Sequence, residues 1–449
     1  MTMSQTTTIT TRALKQSLLA IPLLICAIAM PVMGQVAGIG KALKPEFFTR
    51  DLIIFIEGLD LDETQQIIVE ALFDDYEQSF AEGIDRMEGR IEDIQGDIES
   101  LKDDPQKVLR LVIGPIEEWM MERDVLGDQL IENVRVILVP AQETLWVEFT
   151  RKLYIEQHLS DGVMSGENVN LFHVLRDLSL DESTTNQIKP TVDEYAVELH
   201  ESLRNRTRLV QGPHATLLET INAADTPADQ ARKLDVIDAR VAIRNINDDG
   251  INAIARALPE DKGIEFWNEA MKRGYPRIFR RTAAQRVLES AAAITTYPED
   301  TQLAIDQLLA EYYVELDDFN TRLLDKQRVF DPDRLRESIK NRQRKRDGEE
   351  TVRLEDPTRE LIAQRKAMGT RYIDRLRELL SPEEFDKLEG ARRYAPPPAS
   401  MTPKEAEQLQ LNFNRNVNST PQGKGNDPRT KPTAPGGKKP AEKGDRGRD

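Results

Sequence analysis

One landmark set comes round three times in this chain, and its spacing limits the fold more than any other feature. The set opens at Asp60-Leu61-Asp62-Glu63, returns at Ser179-Leu180-Asp181-Glu182, and returns again at Thr296-Tyr297-Pro298-Glu299. In each copy the first residue is Asp, Ser or Thr and the fourth is Glu, which reads as a capping box at a helix start. A Leu lies eight residues before each cap (Leu52, Leu171, Leu288), and a Tyr lies 13 residues after each Glu (Tyr76, Tyr195, Tyr312). The caps stand 119 and 117 residues apart. A second landmark keeps nearly the same period: Pro140, Pro259 and Pro382 each open a further helix, 119 and 123 residues apart. An aromatic follows each Pro (Trp146, Phe266, Phe385), and then two basic residues and a Tyr: Arg151-Lys152 with Tyr154, Lys272-Arg273 with Tyr275, and Arg392-Arg393 with Tyr394.

Between the landmarks, apolar residues recur at three- and four-residue steps. In the first copy they run from Ile67 and Ile68 through Tyr76, Phe80, Ile84 and Met87 to Leu101. Asp103-Asp104-Pro105 breaks that run, and a second helical pattern follows over 116–138. The second copy breaks at Ala224-Asp225-Thr226-Pro227. The third is expected to break late, across Asp331-Pro332 to Asp356-Pro357, leaving an insert that carries the basic run 340–346. A single long helix cannot bury its own apolar stripe. The expected fold is therefore all-α: three degenerate repeats of a long antiparallel helical hairpin with short flanking helices, in an elongated body. The repeats are assigned to 35–157, 158–277 and 278–395. A composition of 31% charged and only 6% aromatic residues, rich in straight-chain side chains, suits long helices.

The ends read differently. Arg12 and Lys15 precede an apolar run from Leu18 to Met30, and Val32 and Gly34 suit cleavage before Gln35. The segment 1–34 is expected to be a signal peptide, with an uncleaved anchor as the other reading. The only Cys, Cys26, lies inside it, so the expected mature chain has no thiol chemistry. Export without disulfides points to a bacterial periplasm or cell envelope. Downstream of the signal the sequence has no apolar run long enough for a transmembrane helix. The stretch 396–449 opens on Pro396-Pro397-Pro398, becomes Pro-, Gly- and Lys-rich, and is expected to be a disordered tail.

The segments Leu59-Asp60-Leu61-Asp62-Glu63, Leu178-Ser179-Leu180-Asp181-Glu182 and Leu380-Ser381-Pro382-Glu383-Glu384 resemble the Leu-Thr-x-x-Gln motif of small periplasmic helical proteins, the Spy and CpxP type of envelope-stress chaperones. That resemblance implies helical hairpins that bind unfolded proteins or sense envelope stress. The chain departs from it in having Glu at the fifth position and three units instead of one.

Few features suggest catalysis. The histidines, His158, His173, His200 and His214, have no two-His zinc spacing, and no Gly-rich phosphate loop or Gly-x-Ser-x-Gly elbow occurs. With 78 acidic residues, carboxylate pairs on helix faces are inevitable and carry little information. The expectation is a non-enzymatic chain without catalytic residues, cofactor or metal site. A net charge of −17 argues against nucleic acid as a partner. Protein partners are expected, in a scaffold or chaperone-like role, with homo-oligomerisation left open. The alternatives are a structural spacer or self-assembling coiled-coil component, and a weak divalent-cation binder using acidic faces. Tyr76, Tyr195 and Tyr312 are read first as interhelical packing. The run Lys340, Arg342, Arg344, Lys345 and Arg346 is read as a loop tip that could meet an anionic partner.

Overall fold

The computed structural model describes residues 43–94, 96–97, 104–212, 216, 219 and 226–394. The expected signal peptide, Cys26, His214 and the expected tail lie outside the described residues. Among the described residues the protein is helical and has no strand. The first group comprises α1 (Leu52–Gly58), α2 (Glu63–Asp93), α3 (Pro105–Val136), α4 (Pro140–Glu143) and α5 (Trp146–Leu159). The second comprises α6 (Leu171–Asp177), α7 (Glu182–Gln211), α8 (Pro227–Ala257) and α9 (Glu260–Gly274). After α10 (Pro276–Phe279), the third comprises α11 (Ala283–Ala292), α12 (Glu299–Arg346), α13 (Arg359–Leu379) and α14 (Pro382–Asp386).

Cross-helix bonds show that each long pair runs antiparallel. Gln65 at the start of α2 reaches the Ile137 carbonyl just past the end of α3, while Arg86 and Arg90 meet Glu122 and Glu118 in reverse order. Gln187 on α7 donates to the carbonyl of Ala257 at the end of α8. Arg371 and Arg375 on α13 meet Glu315 and Glu311 on α12. α7 and α8 form the most extensive helix pair, and α5 packs on α7 to link the first hairpin to the second.

The helix starts do not fall where the cap pattern puts them. Asp62 caps α2, accepting from the Gln65 N–H at 2.9 Å while the Gln65 side chain returns to the Asp62 N–H at 3.0 Å. Asp181 caps α7 by accepting from the Thr184 N–H at 2.8 Å, with no reciprocal bond to its own N–H. Asp60 and Ser179, the expected caps, instead take left-handed backbone with φ of 49° and 48°. Glu63 and Glu182 are first helical residues and not box partners. In the third hairpin Pro298 occupies the cap position, so Thr296 caps nothing and Glu299 again opens the helix. The correction is two residues, and at the first two starts it arises because two side-chain acceptors alternate, Asp60 with Asp62 and Ser179 with Asp181. The one nearer the helix reaches the free N–H groups of the first turn.

Three other expectations also need correcting. α3 begins at Pro105, capped by Asp104, and runs straight through Pro115, well before the expected start at Ile116. α12 does not break at Pro332; it runs through it as one helix of 48 residues, Glu299 to Arg346. The residues Lys340, Arg342, Arg344, Lys345 and Arg346 are therefore the last turns of a helix and not a loop. Lys and Arg are good helix formers and favour the negative end of the helix dipole.

The apolar core is divided. One continuous cluster runs from Ile155 to Ala391 and is shared by the second and third hairpins. The first hairpin has its own clusters, one around Phe55, Phe73 and Phe149 and another around Phe80 and Trp119. Phe55 makes edge-on contacts with both Phe73 and Phe149, at centroid distances of 5.1 and 5.0 Å. Each such pair adds about 0.5–1.5 kcal/mol beyond burial.

Candidate functional site

A buried polar cluster sits between the second hairpin and α12 of the third, around the segment 160–170 that links α5 to α6. Glu167 is fully buried. One of its carboxylate oxygens, Oε2, accepts from the backbone N–H groups of Val163 and Met164 at 2.8 and 3.1 Å. The other, Oε1, accepts from Arg206 of α7 at 2.9 Å and from Arg240 of α8 at 2.7 Å. Arg206, itself 2% exposed, also donates to the His158 carbonyl. A buried carboxylate is tolerated only when its charge and lone pairs are matched, and here two guanidinium groups and two amides match them.

α8 supplies the rest from one face. Asn247 donates to the carbonyls of Gly166 and Glu167 at 2.8 and 2.9 Å and accepts from the Tyr195 hydroxyl at 2.9 Å. Asp248 accepts from the Tyr275 hydroxyl and from Arg328 of α12. Burial pushes the Asp248 carboxyl above its usual range, against the opposing pull of Arg328 and Tyr275. Burial also pushes the hydroxyls of Tyr195 and Tyr275 well above the ordinary tyrosine value. Asp331 of α12 accepts from the Ser165 N–H at 3.2 Å and from Gln327 at 2.6 Å. Gly166 has φ of 79°, and a Cβ there would lie 2.4 Å from the Tyr275 hydroxyl, so only glycine fits. The cluster fixes the 160–170 segment to both helices of the second hairpin and to α12 of the third, and its chemistry is charge neutralisation and anchoring. Two donors within it, Arg244 Nε and Arg328 Nε, have no hydrogen-bond partner among the described residues.

Each landmark tyrosine is buried and ties its long helix to the segment entering the preceding short helix. The Tyr76 hydroxyl accepts from the Glu46 N–H at 2.9 Å. Tyr195 reaches Gly166 and Glu167 through Asn247. Tyr312 shares a 2.5 Å hydrogen bond with Thr282, the cap of α11, and burial raises it to about 12. Tyr275, from a basic-basic-Tyr closing, joins the buried cluster, and Arg273 beside it pairs with Asp177 of α6. His173 lies 3.1 Å from Glu156, and the His200 ring packs edge-on against Tyr154.

Two exposed surfaces stand out. On α3, Met121, Val125 and Val136 are 60%, 52% and 75% exposed and share one helix face with Asp128 and Glu132. Ile67, exposed on α2, lies two residues from Gln65, which bonds Ile137 just past the end of that same α3 helix. At the far end of the chain, Lys340, Arg342, Lys345 and Arg346 are exposed on the last turns of α12, whereas Arg344 turns inward to Glu337 and Asn341. Asn341 exchanges two hydrogen bonds with Val352, which folds the following loop back onto the helix. The sequence reading found this basic run and the tyrosines but missed the buried cluster. The only hint of it was the polar series Arg240, Arg244, Asn247 and Asp248 at helical spacing within a segment that also carries the core.

Among the described residues no group of three or more His, Asp or Glu side chains could hold a metal ion, and no helix is long and apolar enough to cross a membrane. Comparison with family models, with curated proteins and with solved structures finds no match to this chain.

Proposed function

We propose that this chain is a non-enzymatic helical protein of the bacterial cell envelope that binds other proteins, in a scaffolding or chaperone-like role, through the outer face of the α2–α3 hairpin. The observation that carries the reading is the exposed apolar series Met121, Val125 and Val136, interleaved with acidic side chains and held on a helix whose other face is buried. Apolar residues exposed in series on one face mark a contact surface more than single exposed residues do. Flanking carboxylates select basic segments and repel acidic ones. Three copies of one hairpin unit would present such faces on a rigid frame.

The resemblance to the Spy and CpxP type also supports the reading. In the register that the helix cap defines, Leu61-Asp62-Glu63-Thr64-Gln65 matches the motif's Leu and Gln, with Asp in place of Thr as the capping acceptor. Gln65 is buried against Gln142, the corresponding third helical residue of α4, with side-chain hydrogen bonds of 2.8 Å.

The test is aggregation of reduced lysozyme, a basic client, and of reduced α-lactalbumin, an acidic one, each monitored by light scattering with the full chain present. We expect the chain to delay aggregation of the basic client. The variant with Met121→Gln, Val125→Gln and Val136→Gln should lose at least about half of that delay, because its apolar contact area is gone. No delay with either client, or an unimpaired triple variant, would remove this reading.

A further inference from the structure

We infer that the C-terminal turns of α12 dock on the exposed acidic face of α2 in a second copy of the chain, joining copies head to tail. The inference starts from how the protein uses its cations. In a chain of net charge −17, many arginines on the helix surfaces are engaged with carboxylates, as Arg86, Arg90, Arg273, Arg371 and Arg375 illustrate. Arg334, Arg342 and Lys345 are not: all three are exposed and have no ion pair among the described residues. They fall at i, i+8 and i+11, which places them on one face of the helix over roughly 16 Å. Nearby acids on α12 point elsewhere: Asp333 and Glu337 are taken up by Arg336 and Arg344. The platform is rigid, because Arg336 is bonded to Asp238 of α8 and Gln343 accepts from Gln230 of the same helix.

The complementary face lies on α2. That helix holds ten carboxylates and two arginines, and both arginines are turned onto Glu118 and Glu122 of α3. Glu77, Asp85 and Glu88 remain on one face, with no ion pair among the described residues. They too fall at i, i+8 and i+11, so three cations of one helix can meet three carboxylates of another in register. Burial, with Asp85 and Glu92 beside it, pushes the Glu88 carboxyl above its usual range, consistent with a face that lacks a compensating cation in the isolated chain. The two faces belong to different hairpins. A contact between them is therefore heterologous and leaves a free face at each end of every assembled pair. A second copy is favoured over a phosphate polymer because the cations stand on a fixed helical lattice that another helix reproduces.

The experiment is sedimentation velocity of the full chain at about 0.1 M and about 1 M salt, since roughly 10 Å of screening at the lower value damps the net repulsion of the copies but spares direct contacts. We expect species heavier than 51.1 kDa at the lower salt and an apparent Kd at least about tenfold weaker at the higher. The variant Arg334→Glu, Arg342→Glu, Lys345→Glu and the variant Glu77→Lys, Asp85→Lys, Glu88→Lys should each be monomeric at both salts. Mixed in equal amounts they should associate, because each then meets the opposite charge. Circular dichroism matching the wild type shows that either variant is folded. A wild type that stays monomeric at the lower salt, association that survives both variants, or a monomer that binds heparin through Arg334, Arg342 and Lys345 overturns the inference. None of these outcomes bears on client aggregation, which is read on α3.

Discussion

Arg244 of α8 donates from Nη1 to the carbonyl oxygen of Arg328 in α12 at 2.8 Å, and that carbonyl is the acceptor that Pro332 deprives of its helical N–H. A proline inside a helix leaves the carbonyl four residues earlier without a donor. A side chain from a neighbouring hairpin supplies the donor, and α12 continues for about four more turns. Arg244→Ala should lower the unfolding free energy by about 1.5–3 kcal/mol, the range for a hydrogen bond to a charged group. In a Pro332→Ala background the helix regains its own donor, so the same substitution should cost about 1 kcal/mol less. Urea titrations of the four proteins give the coupling. Strict additivity would mean that Arg244 does not serve that carbonyl.

Glu167 carries the second prediction. Among the described residues it is the one acceptor that Arg206 and Arg240 share, and it is fully buried. Glu167→Gln should cost about 3–5 kcal/mol, because it leaves Arg206 charged and unmatched in the interior. Adding Arg206→Met should recover part of that loss. Denaturant midpoints measure both, and a double variant no better than the single one would place the cost elsewhere, in the 160–170 segment itself.

Close packing of α2 on α3 gives a third. A Cβ at Gly83 would lie 1.9 Å from the Trp119 ring, while one at Gly89, six residues along the same helix, would meet nothing within 4 Å. Gly83→Ala should cost about 1–3 kcal/mol through forced displacement of Trp119. Gly89→Ala should gain about 0.5–1 kcal/mol by removing glycine's backbone freedom from a helix interior. Thermal unfolding followed by Trp fluorescence separates the two signs.

The seam between the first and second hairpins should be sensitive to acid. Glu148 of α5 meets Lys152 at 2.8 Å and Lys189 of α7 at 3.3 Å. The hydrogen bond from Lys152 holds its carboxyl below the usual 4.5, with Lys189 adding to the effect against a smaller opposing push from burial. A carboxyl with a depressed folded pKa contributes stability that is present above its unfolded pKa and lost as pH falls through the folded value. Glu148→Gln should therefore flatten the fall in stability below pH 4.5. The change should stay under about 1 kcal/mol, because the pair is partly exposed. Unfolding free energies at about pH 6, 4 and 3 for both proteins, which bracket the usual carboxyl range, test it.

The all-helical class could be read from the chain because its signals are local. Pro140 and Pro382 open helices α4 and α14, Asp104 and Thr226 cap α3 and α8, and the apolar steps Tyr76, Phe80 and Met87 trace the buried side of α2, although Ile67 and Ile68 at its start are exposed. Where two local signals overlap, reading fails by small amounts, as at Asp60 and Asp62. Where a distant residue decides, it fails outright. Nothing near Pro332 in sequence announces that Arg244 will satisfy the Arg328 carbonyl. The buried cluster is the extreme case: Ser165 and Asp331 are 166 residues apart, and Glu167 and Arg206 are 39 apart. The basic run at 340–346 was recognisable by composition, but its helical state depended on the same rescue at Pro332.

Leu153 and Ile155 lie two residues apart on α5, yet one belongs to the core of the first hairpin and the other to the core shared by the second and third. A single helix is thus the party wall of two interiors. Such a protein should melt in stages. Calorimetry should resolve two endotherms, with α1–α3 released first and α5 kept in place by α7. One merged transition would mean that the wall transmits order fully across itself. In the staged case, warming would uncover the apolar side of α5 while the rest of the molecule stays folded, making the first hairpin a thermal fuse for the chain.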